Sequence, residues 1–343
     1  MPSVLFIIKR FFEYTVREKL HRLFLLVLAV IFLGSFAFAY VEKNMGILGA
    51  LWWAVVTVTT VGYGDITPST LSGKIIGVVI MFFGIGLTGI LTASLAGFFI
   101  EEREMKKKGL RSVDEAKHFI ICGWNERGEE IYEELRADLK TQNKPIVLIA
   151  DIDESPKPED NLFYFVKGEP NKETLKKANC EQADSVIVLL DDRLDSYSQD
   201  AKAILTTLTI KSLYPESYVC VELKDSKNLE HLKNAKADEI IIGGEISAKL
   251  LVQAALDHGV TEIVSELLSN RYGNEFYLMK VPSHFIGKNF LDVLISLKKE
   301  YNILCLGVYD SSKSTYLANP SPDLVLEEKD KLVVIASERP RFE

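Results

Sequence analysis

Two uncharged apolar runs stand in the first third of the chain, Leu23–Val41 and Ile75–Ile100, each long enough to cross a bilayer as a helix. Between them Trp52-Trp53-Ala54-Val55-Val56 is shorter and amphipathic, and predicts a re-entrant helix over residues 46–59. From residue 117 the pattern changes to short apolar runs alternating with amphipathic stretches. Strands are expected at His118–Cys122, Pro145–Ala150, Phe163–Lys167, Ser185–Leu190, Tyr218–Glu222 and Glu239–Ile242, with helices such as Gly128–Leu139, Lys172–Ala178 and Ala201–Leu213 in the gaps. That alternation predicts a parallel, doubly wound, Rossmann-like α/β domain. Residues 246–270 add two helices. The stretch 275–340 predicts a small α+β subdomain with strands near Phe276–Val281, Ile303–Tyr309 and Lys331–Ala336. The expected organisation is 1–22 interfacial helix, 23–100 membrane-spanning domain, 101–116 linker, 117–270 Rossmann-like domain with helical extension, and 271–343 α+β subdomain.

Residues 3–22 mix Phe6, Ile7, Ile8, Phe11 and Phe12 with Lys9, Arg10, Arg17, Lys19 and Arg22, the composition of a helix lying on a membrane surface. No small-residue cleavage site follows, so a signal peptide is not expected. Basic residues precede the first span and return at Arg103, Lys106, Lys107, Lys108 and Arg111. The positive-inside rule then puts both termini in the cytoplasm of a multi-pass protein of the cell membrane, its partner the lipid bilayer. With two spans and no Arg-rich helix, nothing resembles a voltage sensor.

The chain has 343 residues, a formal charge of −8 and no basic face, so nucleic acid is not an expected partner. Cys122, Cys180, Cys220 and Cys305 lie singly in the soluble part without metal-ligand spacing, and read as reduced, buried thiols.

Candidate chemistry concentrates at Thr60-Val61-Gly62-Tyr63-Gly64. A pore that passes a dehydrated cation must aim backbone carbonyls at one axis, whereas a regular strand alternates them. Alternate residues must therefore leave the β region, which Gly62 and Gly64 do without a Cβ penalty. One chain offers a single carbonyl per level, so four chains around an axis are required. This string, between two spans and after a pore helix, is the potassium-channel filter motif, and the chain resembles the tetrameric potassium channels. The resemblance implies K+ in the filter and a hydrogen bond from Trp52 to Asp65 that supports it. Relatives often place a glutamate behind the filter where this sequence has Val56. Gly84 in the second span reads either as a close-packing glycine or, as inner helices of the family imply, as a gating hinge.

A two-span pore followed by a Rossmann-like domain is similar to the RCK-gated potassium channels, nearest the calcium-gated prokaryotic type with a single RCK domain. The likeness extends through His118-Phe119-Ile120-Ile121-Cys122-Gly123-Trp124, Gly168-Glu169-Pro170, Leu175-Lys176-Lys177-Ala178-Asn179, Asn319-Pro320 and Asp330. It implies a cytoplasmic gating ring of RCK domains. In such relatives the ring has eight members, some contributed by soluble domains that start near the position of Met105.

Two ligands compete. The turn Gly123-Trp124-Asn125-Glu126-Arg127-Gly128 keeps two of the three glycines of a phosphate loop, with Asn125 in the middle. Gly123, Asn125, Arg127, Gly128 and the helix end could hold phosphate, and Asp151 after the second strand a ribose hydroxyl, which points to an adenine nucleotide such as ADP or to NAD. In the calcium-gated relatives carboxylates bind the activating Ca2+, and Asp200 and Glu222 fall on matching positions. Lys224 replaces a second acid there, and an ammonium opposes a dication. Asp191, Asp192 and Asp195 form a nearby acidic loop. No acid, base and nucleophile constellation supports a membrane-anchored dinucleotide enzyme, so no enzymatic activity is expected. A transporter's regulatory subunit would not carry its own filter.

Overall fold

The computed structural model describes residue 15, residues 20–42 and residues 45–342, so the expected interfacial helix lies almost entirely outside the described residues. Two compact units form: residues 1–115 with 153–158, and residues 116–152 with 159–343.

In the first unit α1 (Leu20–Val41) and α3 (Leu71–Lys107) are the long apolar helices, with mean hydropathy 2.6 and 2.4 over their most apolar windows. Between them lies α2 (Ile47–Val58), one residue shorter at each end than the expected re-entrant helix. Small residues let the three approach closely. A Cβ on Gly34 would stand 2.5 Å from Ile80 of α3, and one on Gly84 would stand 3.1 Å from the Val58 Cα of α2. Phe38 stacks on Trp53 with ring centroids 3.6 Å apart. Leu33, Phe36 and Phe82 point away from this core, as a lipid-facing surface requires.

The α3 helix continues to Lys107, so the first residues of the expected 101–116 linker are helical. Lys106 and Lys107 fill its last turn, where cations offset the negative end of the helix dipole. Lys107 also fixes the segment 153–158: its Nζ meets Glu154 at 2.7 Å, and its carbonyl accepts from the Ser155 amide at 2.8 Å.

The second unit opens with six parallel strands in the order β3-β2-β1-β4-β5-β6. They are β1 (His118–Cys122), β2 (Ile146–Ala150), β3 (Phe163–Lys167), β4 (Ala183–Val188), β5 (Val219–Leu223) and β6 (Glu239–Ile242). This is the doubly wound order expected of the alternation, reversing direction between β1 and β4. Every residue of β2 is buried, as a strand covered on both faces must be. Helices α4 (Glu126–Ala137), α5 (Lys172–Lys177), α6 (Ser196–Leu213) and α7 (Leu229–Asn234) join the strands. The α6 helix starts five residues before the expected Ala201, because Asp195 caps it through the Tyr197 and Ser198 amides. Part of the acidic loop is therefore a helix start.

Helices α8 (Gly243–Leu256) and α9 (Val260–Leu268) follow. The remainder is a four-stranded antiparallel sheet, β7-β10-β8-β9, built from β7 (Glu275–Lys280), β8 (Leu304–Asp310), β9 (Thr315–Ala318) and β10 (Lys331–Ala336). Helix α10 (Phe290–Tyr301) packs Val293 and Leu297 into its core with Phe285, Val308 and Leu332. The edge strand β9 was not among the expected strands. It is short and mostly exposed, so its sequence carries no alternating apolar face. Cys122, Cys180, Cys220 and Cys305 are all free thiols, with Cys220 the least buried.

Candidate functional site

Two places gather the expected residues, the segment after α2 and the cleft where the parallel sheet reverses. At the first, Thr60, Gly62 and Gly64 have φ of 61°, 60° and 75°, with Val61 and Tyr63 between them outside the left-handed region. The alternation that carbonyls need to share one direction is present in the backbone. The amides of Val61 and Gly62 both donate to the Val56 carbonyl, at 3.1 and 3.3 Å, which ties the segment to the end of α2. Trp52 steadies the other end. Its ring stacks parallel to Tyr63 at 5.9 Å, and its Nε1 donates to Asp65 Oδ2 at 2.8 Å. A further anchor was not foreseen. The Glu42 carboxylate, just past α1, accepts from the amides and hydroxyls of both Ser69 and Thr70, all within 2.9 Å. Thr70 in turn caps α3. A lone carboxylate after an apolar span was legible as a membrane boundary, but its distant partners were not.

The cleft lies at the carboxyl ends of β1, β2 and β4 and encloses a cavity of about 100 Å³, smaller than the roughly 300–1,000 Å³ usual for ligand sites. Gly123 (φ +95°), Trp124, Asp151 and Ile152 line it on one side, Leu190, Asp191, Arg193 and Lys202 on the other, with Glu169. Of the residues expected at a nucleotide, Gly123 and Asp151 are there. The rest of the loop has turned to the protein. Asn125 caps α4 by accepting from the Gly128 amide at 3.1 Å, and donates to the Leu190 carbonyl at 3.1 Å and to Asp192 at 2.9 Å. Gly128 is a packing glycine, where a Cβ would stand 3.1 Å from the Trp124 ring. Arg127 does not line the cleft. It pairs with Asp192 at 2.8 Å and with Glu222 at 3.1 Å.

The cations of the cleft, Arg193 and Lys202, were missed. The Arg193 guanidinium meets both oxygens of Asp191 at 2.8 Å. The Lys202 ammonium meets Asp191 at 2.8 Å and Glu169 at 2.7 Å. These contacts, Arg193 first, hold the Asp191 carboxyl well below the usual carboxylate range.

Comparison with known proteins agrees with this division. A family model described as an ion channel matches residues 21–101, the TrkA-N domain matches 119–243, and a Castor and Pollux segment, part of a voltage-gated ion channel, matches 244–343. The chain is 27% identical to the calcium-gated potassium channel TvoK of Thermoplasma volcanium, over 95% of this chain and 94% of that one. It is also 27% identical to potassium channel protein 1 of Methanocaldococcus jannaschii, covering 90% and 91%. Among solved structures the GsuK channel is similar in fold, with a TM-score of 0.50, 18% identity, and 93% of this chain covered; this chain spans 56% of that one. A channel segment followed by a TrkA-N domain, with relatives named as potassium channels, makes the chain similar to the RCK-domain potassium channels.

The structure departs from the expected calcium site. Asp200 is buried and saturated by the amides of Lys224 and Asp225, at 2.8 and 3.0 Å, and by Asn228 at 2.8 Å. Glu222 accepts from the Leu190 amide at 3.2 Å and pairs with Arg127. The structure gives both carboxylates other partners. Among the described residues no group of three or more His, Cys, Asp or Glu is arranged to hold a metal ion. The cation opposing Glu222 is Arg127, where the sequence pointed to Lys224. Lys224 meets Asp200 through its backbone amide.

Gly84, expected as a hinge, lies in an unbroken stretch of α3 and is buried against Val58, so the conformation seen uses it for packing. Thr88 donates to the Gly84 carbonyl at 2.7 Å, a bond of the kind that accompanies bends in membrane helices.

Proposed function

We propose that four copies of this chain assemble in the cell membrane around one K+-selective pore, with both termini cytoplasmic, and that an adenine nucleotide or NAD in the RCK cleft gates it. The alternation of left-handed residues at 60, 62 and 64 carries the pore reading, because it turns successive carbonyls to one side, as four sets around a cation require, and holds the non-glycine Thr60 in a strained conformation. Asp151 at the end of β2, beside Gly123 and the cleft cations, supports the nucleotide reading. The RCK domains would form a ring whose open arrangement the ligand prefers, and roughly 1–3 kcal/mol per site suffices for such coupling. Eight domains in the ring, four of them free of the membrane, remain part of this proposal, as does Gly84 as the bending point.

Potassium flux from liposomes holding the purified channel, with and without ADP, NAD and Ca2+, tests both halves. Flux with no selectivity over sodium overturns the pore reading. Selective flux indifferent to both nucleotides overturns the ligand reading. A second reading, calcium gating, draws on the name of the TvoK relative. The engagement of Asp200 and Glu222 elsewhere argues against those two as its ligands.

A further inference from the structure

The RCK cleft is not built like a site for a polyanion. Three carboxylates line it, Asp151, Glu169 and Asp191, against two cations, Arg193 and Lys202, which leaves one formal negative charge. Both cations already have their oxygens. Asp191 takes Arg193 through two hydrogen bonds and Lys202 through a third, while Glu169 holds Lys202 from the other side. The usual phosphate seats are also filled. The Asn125 side chain occupies the Gly128 amide at the α4 end, and Arg127 faces Asp192 and Glu222. Each charge brought by a ligand must therefore displace a carboxylate of the protein or stand beside one unpaired.

We propose that this cleft selects adenine ligands of low net charge, adenosine and NAD ahead of ADP and ATP, and that Asp191 is the residue that sets the selection. The inference rests on the nucleotide reading above. Asp191 presents two anionic oxygens to a guanidinium and an ammonium, the geometry in which a phosphate would sit. It is tied to the fold on both sides, since Leu190 is bonded to Asn125 and Glu222 and Asp192 to Arg127. A ligand cannot move it aside without loosening that loop. Adenosine brings no charge to that opposition, and NAD brings only the two of its diphosphate, against about three in ADP and four in ATP. Asp191 thus acts as a resident anion that competes with ligand phosphate, the more strongly the more charge the phosphate chain carries.

The test measures equilibrium binding of adenosine, NAD, ADP and ATP to the purified full-length channel at one fixed ionic strength. In the wild type ATP is expected to bind at least about tenfold more weakly than NAD. Asp191→Asn frees two cations and is expected to tighten ATP by about tenfold or more while changing adenosine by less than about threefold. Glu169→Gln, at the more exposed end of the network, is expected to shift ATP the same way by a smaller factor, and guards against misfolding of the first variant. ATP binding as tightly as NAD to the wild type, or ATP left unchanged or weakened by both substitutions, overturns the selection. If none of the four ligands binds the wild type, the nucleotide reading itself falls and takes this inference with it.

Discussion

Arg127 and Glu222 form an ion pair at 3.1 Å, joining the turn after β1 to the end of β5. The same guanidinium holds Asp192, and the same carboxylate holds the Leu190 amide. The pair therefore braces the β4–α6 loop on one flank of the cleft. Arg127→Ala and Glu222→Gln are each expected to destabilise the folded domain by about 1 kcal/mol, since Arg127 is partly solvated and screening limits the pair. The double variant should be no less stable than the worse single one. Thermal unfolding of the full-length channel checks this, and simple addition of the two losses would show the residues to be independent.

Asp151 stands at the cleft mouth, at the end of β2 where an acid meets a ribose. Asp151→Ala is expected to weaken NAD binding about tenfold, the loss of one charge-assisted hydrogen bond, with the unfolding midpoint unchanged. The contrast with Arg127→Ala is the point of the measurement, since Arg127 should change stability more than affinity.

At the filter, Gly62 has φ of 60° with open space where a Cβ would go. Gly62→Ala fits sterically but costs about 1 kcal/mol or more in each chain, through backbone strain alone. The expected result is an assembled protein that has lost potassium-over-sodium selectivity, read by paired flux assays. Trp52→Phe keeps the stacking on Tyr63 and removes the bond to Asp65. It should leave selectivity intact in brief assays and shorten the time for which flux persists.

Glu42 holds four donors of Ser69 and Thr70 at the start of α3. Glu42→Gln retains the shape but can no longer accept at both oxygens. A loss of stability is expected, seen as a lower unfolding temperature of the purified protein. Glu42→Ala should be worse, because four donors then lose their partner together.

Gly84→Ala places a methyl 3.0–3.1 Å from Val58. The overpacking is expected to cost about 1–3 kcal/mol. If Gly84 is also the bending point, the variant should need more ligand for the same flux, while Val58→Ala added to it should restore stability without restoring the ligand response.

The fold was legible wherever one pattern ran long enough to exclude its rival. The uncharged spans and the buried β2 run admit one reading: α1 and β2 lie within three residues of the expected limits, while α3 starts four residues before and ends seven residues after its expected span. The left-handed alternation at Thr60, Gly62 and Gly64 was legible because it is backbone geometry, written in the spacing of two glycines. The cleft was less so. Asp151 and Gly123 are local to strand ends, but Arg193 and Lys202 come from an acidic loop and from the face of α6. Nothing in the string Asp191-Asp192-Arg193 distinguishes a solvated turn from a charged wall. Arg127 looked like a phosphate ligand for the same reason. Its partner Glu222 is distant in sequence, and only the parallel crossovers bring the two together.

The α3 helix has 37 residues, about 55 Å of rigid rod against roughly 30 Å of hydrocarbon. Nearly half its length is therefore lever. Measured from Gly84, about 35 Å of helix separates the packed glycine from Lys107, so a deflection of about 10° there swings the far end by about 6 Å. Lys107 does not swing alone, because Glu154 and Ser155 are fastened to it. Mechanical advantage runs both ways along such an arm: a small force applied to the segment 153–158 acts with large torque at the glycine.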